Sequence, residues 1–137
     1  MAATKLLLAE DDPVARTAQS RLLQALGYDV VAVEDGEAAV SYLMNSDNHV
    51  DLLVTDYDMP KRNGIEVLEY CRWSSQWARL PVIMVSGVIT DDQMRKRLNH
   101  SLVTFLSKPV DVVVLKQAIE RLVQLQRKIS GEWTFPS

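Results

Sequence analysis

Short aliphatic and β-branched runs alternate along this chain with longer stretches whose apolar residues recur at helical spacing. Lys5–Ala9 (KLLLA) reads as a buried strand. Asp12 then offers a helix N-cap with Pro13 at the first helical position. Val14, Ala18, Leu22, Ala25 and Leu26 form the expected inward stripe of that helix, and Gly27 its stop. Asp29–Val33 is a second strand, and Asp35–Ser46 a second helix with Ala39, Val40 and Leu43 turned inward. Asp51–Thr55 is apolar without interruption, which places a third strand at the centre of a sheet. Gly64–Ser74 is a third helix, and Pro81 opens a fourth strand that runs to Ser86, a position where proline is tolerated. Thr90 and Gln93 form a capping box for a fourth helix. Its stripe of Met94, Leu98 and Leu102 is thin, so it is expected to be the most weakly held. Val103–Leu106 is a fifth strand, and Val112–Ile129 a fifth helix with Leu115, Ile119, Leu122 and Ile129 inward.

Five strand–helix units in strict alternation predict an α/β fold, a parallel sheet covered by helices on both faces. No internal linker, low-complexity tract or solenoid repeat interrupts the pattern. Residues 1–129 read as one domain, and residues 130–137 (SGEWTFPS) as an irregular C-terminal extension. The length of 137 residues suits a single domain, and 47% hydrophobic with 24% charged residues is ordinary for a globular core. A formal net charge of −3 gives no support for direct nucleic-acid binding through a basic surface. The single cysteine, Cys71, excludes an intrachain disulfide and agrees with a reducing compartment. No apolar run reaches membrane-spanning length, and the opening MAATKLLLAEDD lacks the long core and cleavage site of a signal peptide. The expectation is a cytoplasmic protein, or the cytoplasmic part of a larger one, with no direct membrane contact.

The chemistry gathers where the strands end. Ligands of an open parallel sheet bind beyond the carboxyl ends of its strands. Glu10, Asp11 and Asp12 follow the first strand, Asp56 and Asp58 the third, Ser86 and Gly87 the fourth, and Lys108 and Pro109 the fifth. Clustered carboxylates repel one another unless a cation neutralises them. Mg²⁺ is the natural candidate, a hard ion that takes oxygen ligands and keeps waters for a phosphate to replace. Lys108 supplies a point charge for phosphoryl oxygens and Ser86 a hydroxyl that hydrogen-bonds them. An aspartate between Mg²⁺ and a lysine is set up to accept a phosphoryl group.

The segments LLLAEDDP, LLVTDYDMPKRNG, PVIMVSG and FLSKP, in this order and spacing, resemble a response-regulator receiver domain, the phosphoacceptor module of two-component signalling. The resemblance covers roughly Lys5 to Ile129. It implies a doubly wound, flavodoxin-like (βα)5 fold with strand order 2-1-3-4-5. It implies that Asp56 becomes the aspartyl phosphate, that Glu10 and Asp11 hold Mg²⁺ together with Asp56, and that Asp58 contributes its backbone carbonyl. Ser86 would turn toward the phosphoryl group, Lys108 would pair with it, and the Lys108–Pro109 peptide would be cis. Phe105 matches an aromatic switch position. Asp58 and Val88 occupy positions that tune the lifetime of the phosphoryl group in this family. The implied partners are a histidine kinase or histidine phosphotransfer protein as donor, and a downstream protein or output domain as receiver of the signal. The implied signalling face is formed by the fourth helix, fifth strand and fifth helix. NHSLVTFL lacks the Gly-Ala pair that many members carry before the fifth strand, so the fourth helix and its turn are where this chain departs from the family.

Other polar and aromatic residues have plainer readings. Asp12, beside Pro13, reads as a helix cap and not a metal ligand. His49 and His100 sit in polar stretches at no ligand spacing and read as solvated side chains. Cys71 reads as a packing residue, and Trp73 and Trp77 as a cover over the end of the third helix. Two rival functions remain in view. The DYDMP stretch also resembles the Asp-x-Asp motif of haloacid-dehalogenase-type phosphatases, but that motif normally follows the first strand, and the chain leaves little room for a substrate cap. A pseudo-receiver that binds without taking phosphate would lack an acid or the lysine, and none is missing. The sequence reads as a regulatory domain, either stand-alone or part of a larger regulator or hybrid kinase, with its oligomeric state open.

Overall fold

A computed structural model describes residues 3–87, 102–129 and 131. In chain order the elements are β1 (Lys5–Ala9), α1 (Pro13–Ala25), β2 (Asp29–Val33), α2 (Gly36–Met44), β3 (Leu52–Asp56), α3 (Gly64–Trp73), β4 (Val82–Ser86), β5 (Val103–Ser107) and α4 (Val112–Ile129). All five strands are parallel, in the order β2-β1-β3-β4-β5. The fourth helix expected from the sequence, with its Thr90–Gln93 box, Met94 and Leu98, lies outside the described residues, as do Val88 and His100. Leu102, at the end of that stretch, is buried, and its carbonyl accepts the Val82 N–H at 2.9 Å.

Period-two alternation splits each strand between two cores. Leu7, Ala9, Leu53, Val82 and Met84 pack against Ala39, Val40 and Leu43 of α2 and Val67, Leu68 and Cys71 of α3. Leu6, Leu8, Leu52, Val54, Ile83 and Val85 face the other way, against Leu23 of α1 and Leu115, Ile119 and Leu122 of α4. Every residue of β3 and β4 is buried, as their position inside the sheet requires.

The helix ends follow their sequence signals. The Asp12 side chain accepts the Ala15 N–H at 3.0 Å, and Pro13 starts α1. Asp35 caps α2 by accepting the Ala38 N–H at 2.7 Å. Asn63 and Glu66 form a reciprocal capping box at the start of α3. Among the described residues, no helix is long and apolar enough to cross a membrane.

Three packing expectations need correction. The inward stripe of α1 is not Val14, Ala18, Leu22 and Ala25, all of which are exposed; Leu23 is buried, with Ala15, Gln19 and Leu26 half-buried. Packing against the sheet sets the helix phase, and the face turned inward contains polar Gln19 beside Leu23. Ile129 is 40% exposed and not inward. A helix of 18 residues is about 27 Å long, while a strand of 5 residues spans about 17 Å, so the last turn of α4 overhangs the sheet. Arg79 Nη1 donates to the Ile129 carbonyl there at 3.2 Å.

The third correction concerns the tryptophans. Trp77 is buried, and its Nε1 donates to the Leu43 carbonyl at 2.7 Å, tying the segment after α3 to the end of α2. Trp73 is the last residue of α3 and is 90% exposed, so it covers nothing. Trp77→Phe strands the Leu43 carbonyl and is expected to lower stability by about 1–2 kcal/mol. Trp73→Ala is expected to stay within about 0.5 kcal/mol of the parent. Urea denaturation followed by circular dichroism measures both.

Candidate functional site

Parallel register brings the carboxyl ends of β1, β3, β4 and β5 level with one another. Ala9 stands beside Thr55, Asp56 beside Val85, and Ser86 beside Ser107. The residues that end or follow these strands therefore share one edge of the sheet. Glu10, Asp11 and Asp56 each bring a carboxylate oxygen within 4.8 Å of the others. Lys108 Nζ lies 3.0 Å from Asp56 Oδ1 and 3.9 Å from Glu10 Oε2. Glu10 and Asp56 are buried, while Asp11 is exposed at the rim.

Backbone hydrogen bonds fix these positions. The Glu10 N–H donates to the Val33 carbonyl at 3.1 Å, carrying the β1–β2 ladder one residue past the strand. The Tyr57 N–H does the same to Val85 at 2.9 Å, which locks Asp56 in the extended chain. The Lys108 N–H donates to the Ser86 carbonyl at 2.9 Å, and the Lys108–Pro109 peptide is cis. Arg16 Nη1 holds the Glu10 carbonyl at 3.0 Å.

The electrostatics are unbalanced toward negative charge. Burial pushes the Asp56 carboxyl above its ordinary value; the Lys108 hydrogen bond and charge pull it back, and the Asp58 charge adds to the rise. Glu10 Oε1 accepts the Asp12 N–H at 3.3 Å, but buried Glu10 Oε2 has no hydrogen-bond partner. A buried carboxylate oxygen without a donor is costly. That orphaned oxygen, among three carboxylates and no softer ligand, fits a hard divalent cation such as Mg²⁺.

The remaining singled-out residues fall as follows. Ser86 ends β4 and is buried at the same edge. Asp58 is exposed in the loop after β3. Phe105 is half-buried on β5, opposite Met84 and against the α2–α3 core. Val88 lies outside the described residues. His49 is mostly exposed, 3.1 Å from Asp51. Burial pushes the Cys71 thiol up to about 12, so it carries no thiolate at neutral pH.

The sequence reading missed Arg16 and the anchorage of the loop after β3. Arg16 stands one turn into α1, which aims it back at the strand end it follows. A cation four residues beyond a capping acid was the available signal.

The family model for the response regulator receiver domain matches residues 6–120. The chain is 31% identical over 120 residues to chemotaxis protein CheY of Pseudomonas aeruginosa, covering 88% of this chain and 96% of that protein. It is 36% identical over 119 residues to a gliding motility regulatory protein of Myxococcus xanthus, covering 86% of this chain but only 15% of that protein's length. Its fold is similar to the receiver domain of a sensor histidine kinase from Pseudomonas aeruginosa, solved with a magnesium ion coordinated in the active-site cleft. That likeness has a TM-score of 0.79 at 26% identity and covers 90% of this chain and 99% of that one. The chain belongs to the response regulator receiver domain family, and it is a regulatory domain of two-component signalling.

The raised Asp56 pKa has a consequence for stability. The folded chain binds this proton more tightly than the unfolded chain, so the residue's contribution is full below the unfolded carboxylate value of about 3.9. It declines as pH rises through the folded value. Without divalent cations, Asp56→Asn is expected to raise the urea midpoint at pH 7, and the gain is expected to shrink toward zero on acidification below about pH 4. Urea titrations of both proteins across pH check this.

Proposed function

We propose that this domain is a phosphoacceptor switch, in which Asp56 takes a phosphoryl group from a partner's phosphohistidine and thereby changes a surface that a downstream partner reads. The observation that carries the reading is the pairing of buried Asp56 with Lys108 at 3.0 Å inside a set of three converging carboxylates. The donor is a histidine kinase or a histidine phosphotransfer protein, and the setting is cytoplasmic. Residues 1–129 form the receiver unit, and residues 130–137 extend from it.

Glu10, Asp11, Asp56 and the Asp58 backbone carbonyl would hold Mg²⁺. Bound there, the ion supplies positive charge that offsets both the acids and the oxygens of a transferring phosphoryl group. Asp56 acts as the nucleophile: a carboxylate oxygen forms the new O–P bond as the donor's N–P bond breaks, and the departing imidazole keeps the electron pair. Lys108 stabilises the charge that spreads over the phosphoryl oxygens, so the protein contributes positioning and electrostatics. An apolar cavity of about 500 Å³ between α1 and α4, lined in part by Leu22, Leu23, Leu115 and Lys108, adjoins this edge and offers the donor a seat.

Ser86 then turns toward the phosphoryl oxygens and draws the loop after β4 with it. Phe105 follows into the space released, and the face built from β5 and α4 is remodelled. A partner that prefers the remodelled face shifts the population toward it. Asp58, exposed two residues beyond the acceptor, acts on the water that ends the phosphorylated state.

Intact-mass spectrometry with acetyl phosphate tests the chemistry. The parent chain is expected to gain one phosphoryl adduct only when Mg²⁺ is present, and Asp56→Asn none. Lys108→Ala is expected to slow adduct formation by about 10²-fold. A parent chain that takes no adduct from acetyl phosphate or from a phosphohistidine donor would sink the proposal. Asp58→Asn is expected to change the half-life of the adduct; an unchanged half-life would remove Asp58 from the dephosphorylation step.

A further inference from the structure

The loop joining β3 to α3 contains a turn that the chain does not adopt unaided. The Arg62 N–H donates to the Pro60 carbonyl at 2.8 Å across Lys61, whose φ is 70°. This is a γ-turn with its central residue in the left-handed region, a strained conformation for a lysine. Such strain persists only where the surroundings over-determine it. At the far end of the loop, the Gly64 N–H donates to Tyr57 at 2.8 Å, and a Cβ on Gly64 would stand 2.5 Å from the Asp56 carbonyl oxygen.

The turn itself is seated on the first residues of α2. Lys61 Nζ lies 3.4 Å from Oδ2 of Asp35, whose side chain is 7% exposed. Arg62 Nε pairs with Glu37 Oε2 at 2.8 Å. Between the two ion pairs, Gly36 lies so close to the Arg62 backbone that a Cβ there would collide with the Arg62 carbonyl oxygen and would stand 2.7 Å from its carbonyl carbon. The helix start and the turn are thus in backbone contact, with a charged pair on either side.

We propose that Asp35 and Gly36 are positioning residues that hold the loop carrying Asp58 and thereby set the affinity of the site for Mg²⁺. The inference rests on the receiver reading, in which the Asp58 carbonyl faces the ion. Neither residue belongs to the acidic cluster. Their action runs through the γ-turn: a shift at Arg62 propagates along the short, doubly tethered loop to Asp58. Groups that orient a ligand from outside the coordination sphere commonly change metal affinity by about 10–100-fold when altered. The exposed Arg62–Glu37 pair is screened by solvent and contributes least.

The test is Mg²⁺ binding by isothermal titration calorimetry, with no phosphodonor present. Gly36→Ala forces the Arg62 backbone to move and is expected to weaken Mg²⁺ binding about tenfold. Asp35→Asn keeps the α2 cap, since asparagine caps as well as aspartate, and removes the carboxylate charge that faces Lys61; it is expected to weaken binding about threefold. Arg62→Ala is expected to leave binding within about twofold. Adding Lys61→Gly to Asp35→Asn frees the turn from strain, because glycine takes positive φ at no steric penalty, and is expected to restore binding to within about twofold. If Gly36→Ala does not fold, Asp35→Asn and its rescue decide the matter. A parent that binds Mg²⁺ and variants that bind it equally well, even with lowered urea midpoints, would overturn the clamp and leave the receiver reading standing. A parent that binds no Mg²⁺ would overturn both.

Discussion

A carboxylate at the end of the most central strand cannot be left alone. Asp56 is enclosed because β3 is flanked on both sides and covered on both faces, and burial alone drives its carboxyl toward the neutral form. What keeps a charge there is a cation, and Lys108 supplies one from the far end of the sheet. Much else follows from that pairing. The parallel register must bring β5 level with β3 across β4, and the backbone bond from Lys108 to Ser86 must set the lysine's starting point. Even so, one lysine faces three acids, and an oxygen of Glu10 stays buried without a donor. The surplus of negative charge is the physical reason for reading the edge as a cation site.

The two sides of the sheet serve this edge differently. The α2–α3 side carries a dense core, a buried indole bond and the seat of the loop after β3. The α1–α4 side is looser near Lys108, where a cavity opens between the helices and Val14, Leu22, Val113 and Val114 remain exposed. One side therefore fixes the geometry of the acids, and the other is open to a visitor.

The strands were legible because buried parallel strands are continuous apolar runs, and the acids stood out because each interrupts such a run at its end. The Asp12 cap was readable because it is written in local residue types, whereas the Asn63–Glu66 box before α3 went unread. Helix phase was harder. On α1, Leu22 and Leu23 are adjacent, and only the sheet decides which one faces it; polar Gln19 on the inner face disguised the true stripe. Ile129 fits a helical stripe perfectly well, but its helix is longer than the strands it covers. The γ-turn at Lys61 left no trace, because neither lysine nor arginine advertises positive φ. Asp35–Gly36 announced a helix start and nothing more; the need for glycine there comes from a backbone that approaches from elsewhere in the chain.

The pairing of Asp56 with Lys108 has one more implication. The two residues come from strands that are not neighbours, with all of β4 between them, and Glu10 arrives from the other side through β1. No local segment contains a working fragment of the edge. During synthesis Asp56 emerges long before Lys108, and it gains that partner only when the last strand docks. The charge pairing at this edge is thus a certificate of completed assembly: a chain that has not closed its sheet holds its acids apart from the lysine that offsets them.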